Sequence, residues 1–158
     1  MSGWLQCPLF KGIPEEHLRN MLEGQVTLKC YKTGEVIALQ GSRYEKLFIV
    51  SEGSVKGEMS DALGRSTLIE EIQAPRAVAT AFLYTTENRL PVSILAAESC
   101  EIAALSRSTF TRLMQRDERL LTNYLNSMAD RSRFLSEKLR LQRFGTIRSK
   151  LARYLLEM

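Results

Sequence analysis

The sequence predicts a mainly β protein with added helices: an antiparallel β-roll closed on itself, followed by a long helix. Three observations lead there. Between Tyr31 and Met59, short runs rich in Val, Ile, Leu and Phe are separated by turns at Thr33-Gly34, Gln40-Gly41-Ser42 and Ser51-Glu52-Gly53, where glycine takes the positive φ of a tight turn with no Cβ clash. Further strand-like runs, Val26–Tyr31, Ser66–Ile72, Pro91–Ala97 and Cys100–Leu105, surround them, and strands at this spacing indicate a sandwich or barrel. From Ser108 onward the apolar period becomes helical.

With 158 residues, 44% of them hydrophobic, the chain buries one good core and is too short for two full domains. No apolar run approaches the roughly 18 residues of a membrane span, and the N-terminus lacks the basic-then-apolar order of a signal peptide. The expected location is the cytoplasm, with no membrane partner. Cys7, Cys30 and Cys100 are odd in number and widely spaced, which suits reduced thiols rather than a disulfide framework or a zinc site. The net charge of +4 is uneven: from Arg112 onward there are eleven Lys/Arg against five Asp/Glu. Such a basic helical half suits either proximity to phosphates or a solvated helix face.

Taken in order, Trp4 to Leu22 reads as a lead-in and a helix. Pro14 stands at its first turn, Glu15 and Glu16 favour the positive end of its dipole, and Leu18, Met21 and Leu22 share one face until Gly24 stops it. His17, the single histidine, falls opposite most of that face and reads as a surface residue. Asp61-Ala62-Leu63-Gly64-Arg65 is a hairpin turn between Val55–Met59 and Ser66–Ile72. Ala77–Tyr84, small residues followed by aromatics, suits about one helical turn lining a pocket. Together the strands make an antiparallel roll that hides its edges by closure.

Phe110, Leu113 and Met114 then begin a short helix. Beyond it Leu121, Leu125, Met128, Ser132, Leu135, Leu139 and Gln142 recur at alternating spacings of four and three, as in a coiled-coil seam. Leu120, Tyr124, Phe134 and Leu141 form a second apolar flank suited to the chain's own roll, which leaves the seam for a second subunit. A homodimer is expected. Gly145, between Phe144 and Thr146, reads as a helix stop followed by a cap, and Ile147, Leu151, Leu155 and Leu156 then share one side of a last helix.

Gly34-Glu35, Ile37, Gln40-Gly41, Leu47-Phe48-Ile49-Val50, Gly53 and Val55-Lys56 match in type and order the β-roll of the Crp/Fnr superfamily of bacterial transcription regulators. Leu9-Phe10 with Ile13-Pro14 extends the match before it. Ala129, Arg131 and Leu135-Ser136-Glu137-Lys138-Leu139 extend it after. The chain therefore resembles that superfamily over nearly its whole length. The resemblance implies a double-stranded β-helix (jelly-roll) of cyclic-nucleotide-binding type. It further implies a division into a sensor roll with its N-terminal helix (1–110), a short helix and central dimerisation helix (111–143), and a hinge with the first helix of a DNA-binding domain (144–158). In the superfamily that helix opens a winged helix-turn-helix. None follows Met158 in this sequence, so a truncated sensor fragment is expected, with DNA bound through a domain absent from it. The Fnr branch holds an iron–sulfur cluster with three cysteines near the N-terminus, and only Cys7 lies there, so no cluster is expected.

The resemblance also places a ligand pocket. The superfamily's Gly-Glu, which holds cyclic phosphate and ribose, falls on Ala79-Thr80, its Arg-Ser on Leu90-Pro91, and its adenine-reading Thr-Ser on Leu135-Ser136. Arg131 is retained and Arg89 stands one place early. A phosphate buried without its charged partner costs several kcal/mol, so cyclic AMP is not the expected effector. Ala79, Ala81, Leu90, Val92 and Leu135 make the same cavity apolar, suiting a small apolar effector or haem unless their own side chains fill it. Haem-containing gas sensors and regulators of nitrosative stress are relatives with a similarly depleted pocket. Met128 is the candidate axial ligand, ahead of Met59, Met114, Cys100 and His17. An enzyme is not expected: one histidine supplies neither a cupin metal site nor a hydrolase triad. A regulatory module of an enzyme or channel is the alternative to a transcription regulator.

Overall fold

The structure, a computed structural model, describes residues 3–157, with side-chain environments through residue 141. Two 3-10 turns, Gly3–Gln6 and Pro8–Phe10, lead into helix α1, Glu15–Leu22. Trp4, Leu5, Leu9 and Phe10 of the lead-in are buried, with Leu18 and Leu22 of α1. The Trp4 amide donates to Ser51 Oγ at 3.0 Å, which ties the lead-in to the roll.

Eight strands follow: β1 Thr27–Tyr31, β2 Val36–Ala38, β3 Lys46–Glu52, β4 Ser54–Ser60, β5 Ser66–Gln73, β6 Arg76–Val78, β7 Ser93–Ala96 and β8 Cys100–Ser106. They form two four-stranded antiparallel sheets of order β1-β8-β3-β6 and β2-β7-β4-β5. The expected roll is therefore present. β3 and β4 are joined through Gly53 at φ +80°, where a Cβ would lie 2.4 Å from the Ser99 carbonyl oxygen. Only glycine fits that turn, because both the backbone angle and the close approach exclude a side chain.

β6 is the strand that sequence patterning misses. Ala77 and Val78 were expected within a helical turn, but Phe48 pairs with Val78, Ile49 with Ala77 and Val50 with Arg76. A three-residue edge strand has no periodicity of its own, and its conformation comes from the β3 edge it covers. The helical turn starts later, as a 3-10 turn at Thr80–Phe82.

Helix α2 spans Arg107–Arg116, capped by Ser106, whose Oγ accepts from the Thr109 amide at 3.2 Å. Phe110, Leu113 and Met114 are buried as their spacing predicts. Helix α3 spans Glu118–Glu157. Its backbone stays helical across Gly145, so the expected stop there is absent. One glycine inside a helix costs only about 1 kcal/mol relative to alanine, too little to end a helix by itself. The side chains of Gln142, Phe144, Thr146, Ile147, Leu151, Leu155 and Leu156 lie outside the described residues.

The chain forms two compact units, the first running to Tyr124 and the second from Leu125. The first includes α2 and the start of α3, which supply Phe110, Leu113, Leu120 and Tyr124 to its core. In the second unit the flank residues Phe134 and Leu141 are exposed, whereas Leu120 and Tyr124 of the same flank are buried in the first. Among the described residues no helix is long and apolar enough to cross a membrane. The three cysteines are free.

Candidate functional site

The segment that follows β6 is built around one left-handed residue. Ala79 has φ +52° and ψ 34°, a conformation that costs an L-residue roughly 1–2 kcal/mol. It turns the chain out of β6 into the 3-10 turn Thr80–Phe82, after which Leu83 is fully buried. Tyr44 secures the entry. Its buried hydroxyl donates to the Val78 carbonyl and accepts from the Phe48 amide at 3.0 Å, so one side chain bridges β6 and β3. Burial pushes the Tyr44 phenol up, and it stays a neutral donor.

The two helices hold the other side of this segment. Tyr124, in the second turn of α3, donates to the Thr80 carbonyl at 3.0 Å. Its ring meets Tyr84 edge-on at 5.6 Å and Phe110 of α2 at 5.7 Å. The Tyr84 hydroxyl and Thr111 Oγ1 are hydrogen-bonded at 2.7 Å, and Arg107 Nη1 donates to the Leu83 carbonyl at 3.3 Å. Desolvation raises both phenols, Tyr124 to about 12, so these contacts persist at physiological pH. Residues 80–84 are therefore fastened to α2 and α3 through four side chains.

Of the expected pocket residues, Ala79, Thr80, Ala81 and Val92 are half-buried in the first unit. Leu90 is 2% exposed and packed in the core. Val92 sits over Gly57, where a Cβ would meet Val92 Cγ2 at 3.4 Å. Arg131, Leu135 and Ser136 are exposed residues of α3 and belong to the second unit.

The donor set does not fit haem. Met114 and Cys100 are packed in the core, Met59 is exposed on β4, and His17 Nε2 lies 3.3 Å from Asp117 Oδ2. Met128 is half-buried on α3 in the second unit. His17 is a surface residue, as expected, and its partner Asp117 is a buried carboxylate between α2 and α3. Arg119 grips that carboxylate through Nη2 at 2.8 Å and Nε at 3.1 Å, and these bonds hold it at about 2, below the usual carboxylate range.

A second feature has little signal in the sequence. A polar cleft of about 440 Å³ is lined by Arg43 and Glu45 before β3, by Thr86, Glu87, Asn88 and Arg89 beyond the cassette segment, and by Arg107 at the start of α2. Arg89 was expected at the apolar pocket. Instead its Nη1 donates to the Gly41 carbonyl at 2.9 Å at this cleft. The other lining residues come from separate segments, and no spacing rule links them.

A family model described as "Cyclic nucleotide-binding domain" matches residues 28–117. The curated "cAMP-activated global transcriptional regulator Vfr" of Pseudomonas aeruginosa is 28% identical over 131 residues, covering 81% of this chain and 61% of that protein. This chain thus spans less than two thirds of the length of that relative. Among solved structures, a transcriptional regulator from Thermotoga maritima superposes with a TM-score of 0.72 at 28% identity, over 76% of this chain and 93% of that one. The catabolite activator protein of Thermus thermophilus superposes at 0.76 with 24% identity, over 87% of this chain and 63% of that one, a likeness of fold.

Proposed function

This chain belongs to the cyclic nucleotide-binding domain family and is related to the Crp/Fnr transcription regulators, and on that premise we propose that it is the effector-sensing, dimerising part of such a regulator, one that does not respond to cyclic AMP. The contact that carries this reading is the Tyr124 hydroxyl on the Thr80 carbonyl, 3.0 Å apart. A sensor must let the state of its ligand segment bias the helix that reports it, and a ligand shifts such an equilibrium only by its differential affinity for the two arrangements. Thr80 sits where the ligand segment turns, and Tyr124 lies on the long helix. The reporting step is then a change in how α3 leaves the roll, passed to a partner helix through the Leu121, Leu125, Met128, Ser132, Leu135, Leu139 seam and onward to a DNA-reading domain.

The case against cyclic AMP rests on chemistry at the cassette. Ala79-Thr80 offers no carboxylate for a ribose, and Leu90-Pro91 offers no cation and, at proline, no backbone N–H. Leu90 is packed in the core. Ala79, Ala81 and Val92 leave a small apolar effector as the favoured class; the haem reading draws no support from the donor set. Calorimetric titration with cyclic AMP tests the proposal: the expected dissociation constant is no better than about 1 mM, and micromolar binding overturns it.

A further inference from the structure

We propose that the cleft lined by Arg43, Arg89 and Arg107 is a binding site for a small polyanion carrying at least two phosphate or carboxylate charges. Its volume of about 440 Å³ lies in the range of small-molecule sites. Arg43 and Arg89 stand directly opposite each other in an isolated antiparallel bridge. Like charges so placed cost roughly 0.2–1 kcal/mol when nothing lies between them, and an anion converts that cost into attraction.

The opposition is built into the backbone. The Gly41 amide donates to the Leu90 carbonyl at 2.8 Å, the Leu90 amide to Ser42 at 2.9 Å, the Tyr44 amide to Asn88 at 2.6 Å and the Arg107 amide to Glu45 at 2.9 Å. Asn88 is buried with φ +40°, and its Nδ2 donates to the Tyr44 carbonyl at 3.3 Å. These bonds hold residues 41–45, residues 88–90 and the first residue of α2 together as one frame.

Two of the guanidinium groups are oriented without being neutralised. Arg89 and Arg107 each place one N–H on a backbone carbonyl, Gly41 and Leu83 respectively, which leaves most of each five-donor fork for a ligand. Glu45 reaches Arg43 only at 3.9 Å, and Glu87 lines the cleft without an ion pair among the described residues. Three guanidinium groups thus face two carboxylates, and planar forks at fixed positions suit bidentate recognition of phosphate or carboxylate oxygens. Glu45 and Glu87 in the same wall disfavour a long nucleic-acid backbone, so the ligand is compact. The lining of this site is distinct from the positions of the effector reading, since Ala79, Ala81 and Val92 are not part of it.

Titration calorimetry at fixed ionic strength, with inorganic pyrophosphate in one arm and citrate in the other, tests the site. Saturable one-to-one binding in the micromolar to submillimolar range is expected. The stronger arm identifies the ligand as phosphorylated or polycarboxylic. Arg43→Gln, which disturbs only the long Glu45 contact, should weaken binding about tenfold, or roughly 1.4 kcal/mol. Glu87→Gln should tighten it. Arg116→Gln removes the same charge from the far end of α2 and should leave it unchanged. Absence of saturable binding in both arms, or equal weakening by Arg43→Gln and Arg116→Gln, overturns the proposal.

Discussion

The hydroxyl of Tyr124 meets the carbonyl of Thr80 at 3.0 Å, joining the second turn of the long helix to the turn that follows β6. The carbonyl belongs to a 3-10 turn of only three residues, Thr80–Phe82, and such short turns leave carbonyls in need of outside donors. Tyr124→Phe keeps the ring contacts with Tyr84 and Phe110 and removes this donor. It should lower stability by about 1 kcal/mol and accelerate amide hydrogen exchange around residues 80–83. Tyr124→Ala also removes the rings and should cost about 3 kcal/mol. Urea unfolding compares the two, and a Tyr124→Phe variant as stable as the unaltered chain would deny the hydroxyl any role of its own.

Ala79 holds a left-handed backbone at a position where the superfamily pattern has glycine. Ala79→Gly relieves the Cβ strain and frees the unfolded chain, two opposing effects whose balance favours the variant by roughly 0.5–1 kcal/mol. Ala79→Val, β-branched at the same φ, should destabilise by more than that. Thermal melts with a rise for glycine and a fall for valine are the expected pair.

Asp117 has its carboxyl held at about 2, first by the Arg119 side chain and then by backbone donors. Its folded value is lower than its unfolded one, near 3.9. The stabilisation is thus fully present above about pH 4 and is lost as pH falls through 2. Asp117→Asn keeps an acceptor for the Arg119 amide and removes the charge. The variant should be less stable at pH 7 by about 1 kcal/mol, a modest figure because Arg119 and His17 are solvent-screened. The gap should close toward pH 2, and a gap that denaturant curves show to be constant with pH would mean that the ion cluster contributes nothing.

The seam on α3 presents Leu125 at 56% and Leu139 at 66% exposure in a single chain. Apolar side chains repeated at coiled-coil spacing on one helix face are expected to bury against a second copy. Sedimentation should show a dimer at micromolar concentration, and a double variant, Leu125→Glu with Leu135→Glu, should sediment as a monomer. An unaltered chain that sediments as a monomer sinks the seam.

What could be read from residues alone was local. The β-roll was legible because Val, Ile and Phe runs between glycine turns encode strand and turn within a few residues of one another, and α1 and α2 because their apolar spacing does the same. The seam was legible as a repeat, though a repeat does not say what covers it. The tertiary structure decided whatever depends on residues far apart in the chain. β6 exists because β3 offers an unpaired edge, Leu90 is buried in the core, and His17 acquired a partner because α1 packs near the junction of α2 and α3. Helical continuity at Gly145 was a balance of about 1 kcal/mol that a residue type alone does not settle. Arg43, Arg89 and Arg107, separated by 46 and 18 positions in sequence, meet only because antiparallel pairing brings residues 41–45 beside 88–90 and sets the start of α2 against them. Propensity acts over a turn or a strand, whereas a site is made by pairings across the whole chain, and its geometry appears only once those pairings have formed.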